Sequence, residues 1–303
     1  MTTAVVFAYH NVGARCLEVL LRHGVAISLV VTHDDDPLET IWFDRVADIA
    51  AAHGIACITP TDPNAPDVVA QVRALHPDFL FSFYYRRMLS PALLAVPARG
   101  ALNMHGSLLP KYRGRAPVNW AVLHGEAETG ATLHYMAEKP DAGDIVAQTA
   151  VSILPDEMAR DVFDKVTAAA ATTLHRVLPA LLAGTAPRTA QDLSKGSYFG
   201  GRKPADGRID WRQSARAIHN LVRAVAPPFP GAFTTINGVE CRILRTRVVD
   251  LTAPSGRACL RIDGNRLLAG CGGGGQLEIL AADRAGQPVA ARDFPGQTSL
   301  ALA

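Results

Sequence analysis

The sequence predicts an α/β protein, a mostly parallel sheet flanked by helices and followed by a small β-barrel domain. Three observations predict it. Short β-branched apolar runs alternate with helical patterns through the first half, as parallel strands joined by crossover helices require. Beyond residue 233 the chain breaks into short strand-like runs separated by Asn-Gly, Ser-Gly and Asp-Gly pairs and the run GCGGGG, the close spacing of a small barrel. At 303 residues, with 49% apolar and 19% charged side chains, the chain is long enough to bury two ordinary cores.

The elements follow in order. AVVFAY (4–9) reads as a buried strand, and ARCLEVLLRHG (14–24) as a helix ended by Gly24. ISLVVTH (27–33) is the second strand, WFDRVADIAAAHG (42–54) a helix closed by Gly54, and IACITP (55–60) the third strand. Residues 66–76 give another helix, DFLFSFYY (78–85) a fourth strand and GALNMHG (100–106) a fifth. The order is β-α-β-α-β-α-β-(α)-β. In such a sheet, ligands sit outside the carboxyl ends of the strands, where Tyr9–His10, Tyr84–Tyr85 and Asn103–His105 all arrive. A long helix pattern (159–184) leads to KGSYFGGRKPADGRIDW (195–211), whose Gly, Lys and Arg content marks a crossing between domains spanning 1–203 and 204–303. SARAIHNLVRAVA (214–226) is helical and PPFPGAF (227–233) turns sharply.

Charge and cysteine usage exclude several functions. The chain carries 30 basic and 28 acidic residues, and from 204 onward 12 against 8, so no strong field recruits a polyanion. Nucleic acid is therefore not the expected partner. The five cysteines are scattered with no CxxC spacing, which predicts no metal site and a reducing compartment. The N-terminus has no basic run before its apolar stretch, and no uninterrupted apolar run approaches the roughly 18 residues of a bilayer span, so the cytoplasm is expected.

The chemistry concentrates in NMHGSLLPKYRGRAPVNW (103–120). The side-chain period of a strand is two, so Asn103 and His105 share a face. In EKPDAGDIVAQ (138–148), Pro140 and Gly143 force a turn that puts Asp141 in a loop. An amide can donate to a developing oxyanion, an imidazole can move a proton, and a carboxylate can orient the ring. That set suits attack of an amine on an acyl carbon without a covalent enzyme intermediate, since no GxSxG and no nearby cysteine offers a nucleophile. The same Asn-x-His pair also suits a hydrogen-bonded turn. His10, His124 and His134 read as satisfied surface or core histidines, and Asp34–Asp36 as a solvated loop. A dinucleotide reader would need GxGxxG after the first strand, where AYHNVGARC has one glycine.

Together with GATLHYMAEKPDAGDIVAQ, the 103–120 segment resembles the signature of the 10-formyltetrahydrofolate-dependent formyltransferases: Asn-x-His, Ser-Leu-Leu-Pro, a Gly- and Pro-containing loop, then Asp-x-Gly. VVFAYHNVG, FSFYYRRML and RAVAPPFPGAF extend the similarity over nearly the whole chain. HGSLLPKYRGRAP and FYYR look most like the formyltransferase half of the bifunctional polymyxin-resistance enzymes, which formylate UDP-4-amino-4-deoxy-L-arabinose for lipid A modification. The resemblance implies a Rossmann-like formyltransferase domain, an OB-like C-terminal barrel, 10-formyltetrahydrofolate as co-substrate and a nucleotide-linked aminosugar as acceptor. It implies that Asn103 stabilises the oxyanion, His105 is the acid/base and Asp141 tunes it. The backbone of Arg87, Met88 and Leu89 would hold the pterin, with Arg115 and the loop Ala137, Glu138, Lys139, Pro140, Asp141 closing over it. Tyr84 and Tyr85 would support that strand.

Two departures from the family pattern stand out. Pro140 occupies a position where relatives often carry a small or aliphatic residue, which stiffens the folate loop. The bifunctional enzymes continue into a decarboxylating dehydrogenase, whereas this chain ends at Ala303, so decarboxylation is expected on a separate polypeptide unless this is an excised domain. Methionyl-tRNA formylation is the alternative activity within the same two-domain plan.

Overall fold

A computed structural model describes residues 1–37, 41–236, 238–293 and 299–301, the last three as backbone. Asn237, half of the expected Asn-Gly turn, lies outside the described residues. The chain forms two compact units: residues 1–117, 129–151 and 164–200 make the first, and 118–128, 152–163 and 201–303 the second.

The first unit begins with β1 (Thr3–Ala8), α1 (His10–Arg22), β2 (Ala26–Val31), α2 (Val46–Ala52), β3 (Cys57–Ile58), α3 (Pro66–Ala74), β4 (Phe79–Phe83), α4 (Pro91–Leu94) and β5 (Gly100–His105). Next along the chain come β6 (Arg113–Gly114), α5 (Pro117–Leu123), which from Val118 belongs to the second unit, β7 (Glu128–Tyr135), β8 (Ile145–Ser152), α6 (Ala159–Ala183), which belongs to the second unit as far as Phe163, and β9 (Tyr198–Phe199). The main sheet runs β3-β2-β1-β4-β5-β7-β8. Its first five strands pair in parallel and β7 returns antiparallel against β5, so the mostly parallel α/β class is borne out. Ala4 to Ala8 of β1 are all 0% exposed, as a central strand covered on both faces should be. Val5, Phe7, Leu29, Val31, Leu80, Leu89 and Leu93 share one core cluster.

Helix α1 starts four residues before the pattern predicts, directly off β1. Asn11 and Gly13 are poor helix formers, which hides this turn from a sequence reading. Gly13 is needed for close approach: a Cβ there would sit 3.1 Å from the Ala8 side chain and 3.2 Å from the Phe83 carbonyl. Helix α2 is shorter than predicted because Trp42 and Phe43 leave it to pack edge-on and tilted against the His10 ring. The 25-residue α6 has the length and apolarity of a membrane-crossing helix, but half of its most apolar window is buried. Arg176 and Thr173 bind it to β8 through the Gln148 carbonyl at 2.8 Å and the Thr149 hydroxyl at 2.6 Å, the behaviour of a core helix.

In the second unit, α7 (Ala215–Val225) is followed by β10 (Ala232–Ile236), β11 (Val239–Asp250), β12 (Cys259–Asp263), β13 (Arg266–Gly270), β14 (Gln276–Arg284), β15 (Gln287–Val289) and β16 (Ser299–Ala301). They form an antiparallel sheet of order β10-β11-β14-β13-β12-β16, with β15 on β14. Buried polar groups on α7 explain why two early excursions belong here. His219 lies 3.1 Å from the Pro155 carbonyl, Arg223 donates to the Glu157 carbonyl, and the Ala224 carbonyl accepts from Asn119.

Candidate active site

Strand β5 ends in Asn103, Met104 and His105 at the carboxyl edge of the parallel sheet. Its antiparallel register against β7 sets Asn103 opposite His134 and His105 opposite Thr132. Cross-strand partners share a face, so the strand period that unites Asn103 with His105 also brings His134 to them. Met104, on the other face, is 1% exposed in the core.

The loop after β5 returns its backbone to these side chains. Tyr112 is held by its N–H to the Ser197 hydroxyl at 2.8 Å and by stacking of its ring on Phe199. Its carbonyl lies 2.7 Å from His105 Nε2. A carbonyl only accepts, so Nε2 carries the proton and Nδ1 is the basic atom of the neutral ring. Gly114 donates its N–H to Asp141 Oδ2 at 2.8 Å. Glycine is required there: its φ is +98°, and a Cβ would sit 2.1 Å from the Phe199 carbonyl across the β6–β9 pair.

Asp141 occupies the third position of a turn closed by the Ala142 N–H on the Lys139 carbonyl. Pro140 pre-sets the second position and Asp141 takes a left-handed φ of +50°, which Asp tolerates better than most residues. Gly143 lets the turn fold back on β7, since a Cβ would meet the Tyr135 carbonyl at 2.0 Å. Gln191 clamps the turn from a distant loop, donating to the carbonyls of Asp141 at 3.0 Å and Gly143 at 2.6 Å.

The Asp141 carboxylate therefore lies between two imidazoles, 3.6 Å from His105 Nδ1 and 3.5 Å from His134 Nε2. Burial alone would push its pKa up. The charge of His105, the hydrogen bond and charge of His134 and the Gly114 N–H outweigh burial and hold it well below the usual carboxylate range. Asn103 Nδ2 lies 3.2 Å from His134 Nε2 and 3.3 Å from Asp141 Oδ1. With 3.5 Å between those two acceptors, the cosine rule gives an angle of about 65° at the amide nitrogen, against about 120° between the N–H bonds of a planar amide. The two N–H bonds can therefore straddle both neighbours, each within about 30° of its line.

The structure thus brings Asn103, His105 and Asp141 together. It also adds His134, which the sequence reading assigned to an ordinary core or surface role. The signal was the alternation of Thr132 and His134 in β7, but the register that makes it count is not written locally. Of the segment expected to hold a pterin, Arg87 is exposed, Met88 is 58% exposed and Leu89 is 4% exposed. Asn64 pins its backbone, donating to the Met88 carbonyl at 2.9 Å and accepting from the Ser90 N–H at 2.7 Å. Ala137, Glu138 and Lys139 are exposed and Pro140 is half-buried. Arg115 is exposed, whereas Arg113 two residues earlier is buried with Nε and Nη1 making no hydrogen bond among the described residues. Tyr84 packs its hydroxyl against Gly106, and Tyr85 stacks on His33 at 4.1 Å.

A family model described as Formyl transferase matches residues 9–178, and one described as Formyl transferase, C-terminal domain, matches residues 202–297. An N-formyltransferase from Helicobacter canadensis, solved with folinic acid and dTDP-3-aminofucose, is 19% identical with a TM-score of 0.77, over 95% of this chain and 100% of that one. WlaRD, a sugar 3N-formyl transferase solved in the presence of dTDP and 5-N-formyl-THF, is 18% identical with a TM-score of 0.74, over 95% and 99%. A sugar N-formyltransferase from Shewanella sp FDAARGOS_354 is 18% identical with a TM-score of 0.65, over 80% and 96%. At these identities the likeness is one of fold.

Proposed function

The chain belongs to the formyl transferase family, and from that premise we propose that it transfers the formyl group of 10-formyltetrahydrofolate to the amine of a nucleotide-linked aminosugar. UDP-4-amino-4-deoxy-L-arabinose, the acceptor used in lipid A modification and polymyxin resistance, is the acceptor we favour. The observation that carries this reading is the meeting of Asn103, His105 and Asp141 at the carboxyl edge of the sheet. The resemblance of HGSLLPKYRGRAP and FYYR to the polymyxin-resistance branch supports the choice of sugar. Such an acceptor is water-soluble, which agrees with a cytoplasmic enzyme.

When bound, the folate supplies an activated formyl carbon. The Arg87–Leu89 segment is the one assigned to the pterin ring: Leu89 anchors it in the core, Met88 is exposed, and Asn64 fixes its backbone. Arg115 and the 137–141 turn are exposed or half-buried and so able to cover that ring. Asn103 donates an N–H to the formyl oxygen as negative charge builds on it. His105 takes the amine proton at Nδ1 as the new C–N bond forms, and returns a proton to the departing folate nitrogen as the old C–N bond breaks. Asp141 stabilises the imidazolium between these two events.

The test is release of tetrahydrofolate by the purified protein supplied with 10-formyltetrahydrofolate and, in parallel, UDP- and dTDP-linked aminosugars. Turnover with the UDP-arabinose amine is expected. Release only with a different aminosugar would reassign the acceptor, and release only with charged initiator tRNA would replace the reading by methionyl-tRNA formylation.

A further inference from the structure

We propose that Gln191 is a positioning residue that sets, from outside the site, how the Asp141 carboxylate stands toward His105, an inference that rests on the formyl-transfer reading. The turn that carries Asp141 closes on a hydrogen bond of 3.3 Å from the Ala142 N–H to the Lys139 carbonyl. That is longer than the usual N–H···O separation of about 2.9–3.0 Å, and residues 137–139 before it are exposed. Asp141 itself takes a φ of +50°, a conformation that persists only where the surroundings hold it. Gln191 supplies the hold. Its Nε2 lies 3.0 Å from the Asp141 carbonyl and 2.6 Å from the Gly143 carbonyl. Carbonyls only accept, so the amide nitrogen, with its two N–H bonds, faces them. Gln191 Oε1 is buried with no hydrogen bond among the described residues, so the side chain is held through its N–H groups.

The segment that carries Gln191 is stitched to both halves of the site. Thr189 exchanges backbone hydrogen bonds of 2.9 and 2.8 Å with Ile145. Farther on, the Ser197 hydroxyl accepts the Tyr112 N–H at 2.8 Å and the Phe199 carbonyl accepts the Arg115 N–H at 2.9 Å. Tyr112 in turn presents its carbonyl to His105 Nε2 at 2.7 Å. Residues 189–199 therefore hold the carboxylate through its own backbone and the imidazole through its far nitrogen. Between them, Asp141 Oδ1 and His105 Nδ1 are 3.6 Å apart, beyond the reach of about 2.7–3.2 Å over which a hydrogen bond fixes a spacing. Their separation is thus set by the two backbone holds. Gln191 touches no reacting atom in this account and acts only through Asp141.

Two variants separate positioning from support of the fold. Gln191→Met keeps the length of the side chain and removes both donors. Arg188→Met loosens the same segment at its exposed 2.9 Å ion pair with Asp144, a kind of contact worth little. With the aminosugar on which the wild type turns over, Gln191→Met should lose about tenfold in kcat, because a displaced carboxylate keeps its charge but not its place. Arg188→Met should stay within about threefold. In an Asp141→Asn background, Gln191→Met should cost less than about threefold more, since the group it positions is gone. The same tenfold loss in both backgrounds, or equal losses for Gln191→Met and Arg188→Met, overturns the proposal. Amide hydrogen exchange decides it independently of turnover. The Gly114 N–H, bound to Asp141 Oδ2 at 2.8 Å, should exchange about tenfold faster in Gln191→Met and within about threefold of wild type in Arg188→Met. An unchanged Gly114 amide in Gln191→Met overturns the inference, even if no acceptor is ever found and the functional reading fails by itself.

Discussion

Replacing Asp141 by Asn removes one charge and almost no volume, so it isolates what the carboxylate does for the two histidines. In the wild type, Oδ1 is 3.6 Å from His105 Nδ1, the atom proposed to take the proton. At an effective dielectric constant of about 20, a charge pair at that separation is worth roughly 4.6 kcal/mol, which the imidazolium loses in the variant. Partial compensation by solvent reduces this, and a fall in kcat of about 10²–10³-fold is expected, within the span attributed to general acid–base catalysis. The Asn amide also introduces a conflict. If its oxygen keeps the Gly114 N–H, its NH₂ group faces Asn103 Nδ2, which is itself a donor. The KM for the folate should change little, because Asn keeps the backbone of the 137–141 turn and no contact of Arg87–Leu89 is touched. The assay is steady-state release of tetrahydrofolate at saturating aminosugar, with thermal unfolding measured on the same samples. A kcat within about threefold of wild type, in a folded variant, would refute the claim that the carboxylate stabilises the proton on His105.

Further outcomes follow from the same geometry. Asn103→Ala should lower kcat by about 10²–10³, or roughly 2.7–4 kcal/mol of barrier, while the unfolding midpoint barely moves; an equal loss in both would make Asn103 a structural residue. Gly114→Ala places a Cβ 2.1 Å from the Phe199 carbonyl at a φ of +98°. Urea unfolding should show a loss of about 1–3 kcal/mol, and an unchanged midpoint would mean that β6 and β9 part freely. The depressed pKa of Asp141 stabilises the fold fully above its unfolded value near 3.9 and less as pH falls through its folded value. The stability advantage of wild type over Asp141→Asn should therefore shrink as pH falls below about 4, and a constant difference down to pH 2 would contradict it.

Much of the fold and half of the site were legible before any coordinates. The runs AVVFAY, ISLVVTH, DFLFSFYY and GALNMHG each carry their own strand signal, and β1, β2, β4 and β5 fall within them. Gly24 and Gly54 end their helices with φ of +71° and +65°. The shared face of Asn103 and His105 is a property of three consecutive residues, and the Asp141 turn is set by Pro140 and Gly143 on either side. The start of α1 was hidden because packing under Gly13 outweighed the weak helix propensity of its first turn. The reversal of β7 against β5 was hidden because it is a choice between sheet partners, made outside either strand.

What the sequence determined by itself is therefore local: where strands and helices lie, which side chains alternate to one face, and where the backbone must turn. Steric limits on φ and ψ and the periods of 2 and 3.6 act over a few residues and are written there. Only the tertiary structure decided that His134 stands opposite Asn103, that the Tyr112 carbonyl and Gly114 N–H hold His105 and Asp141, and that Gln191 clamps the turn. Those contacts depend on strand register and on a loop arriving from far along the chain. They are fixed when a whole layer is buried at once, and no short segment contains the energy that selects them.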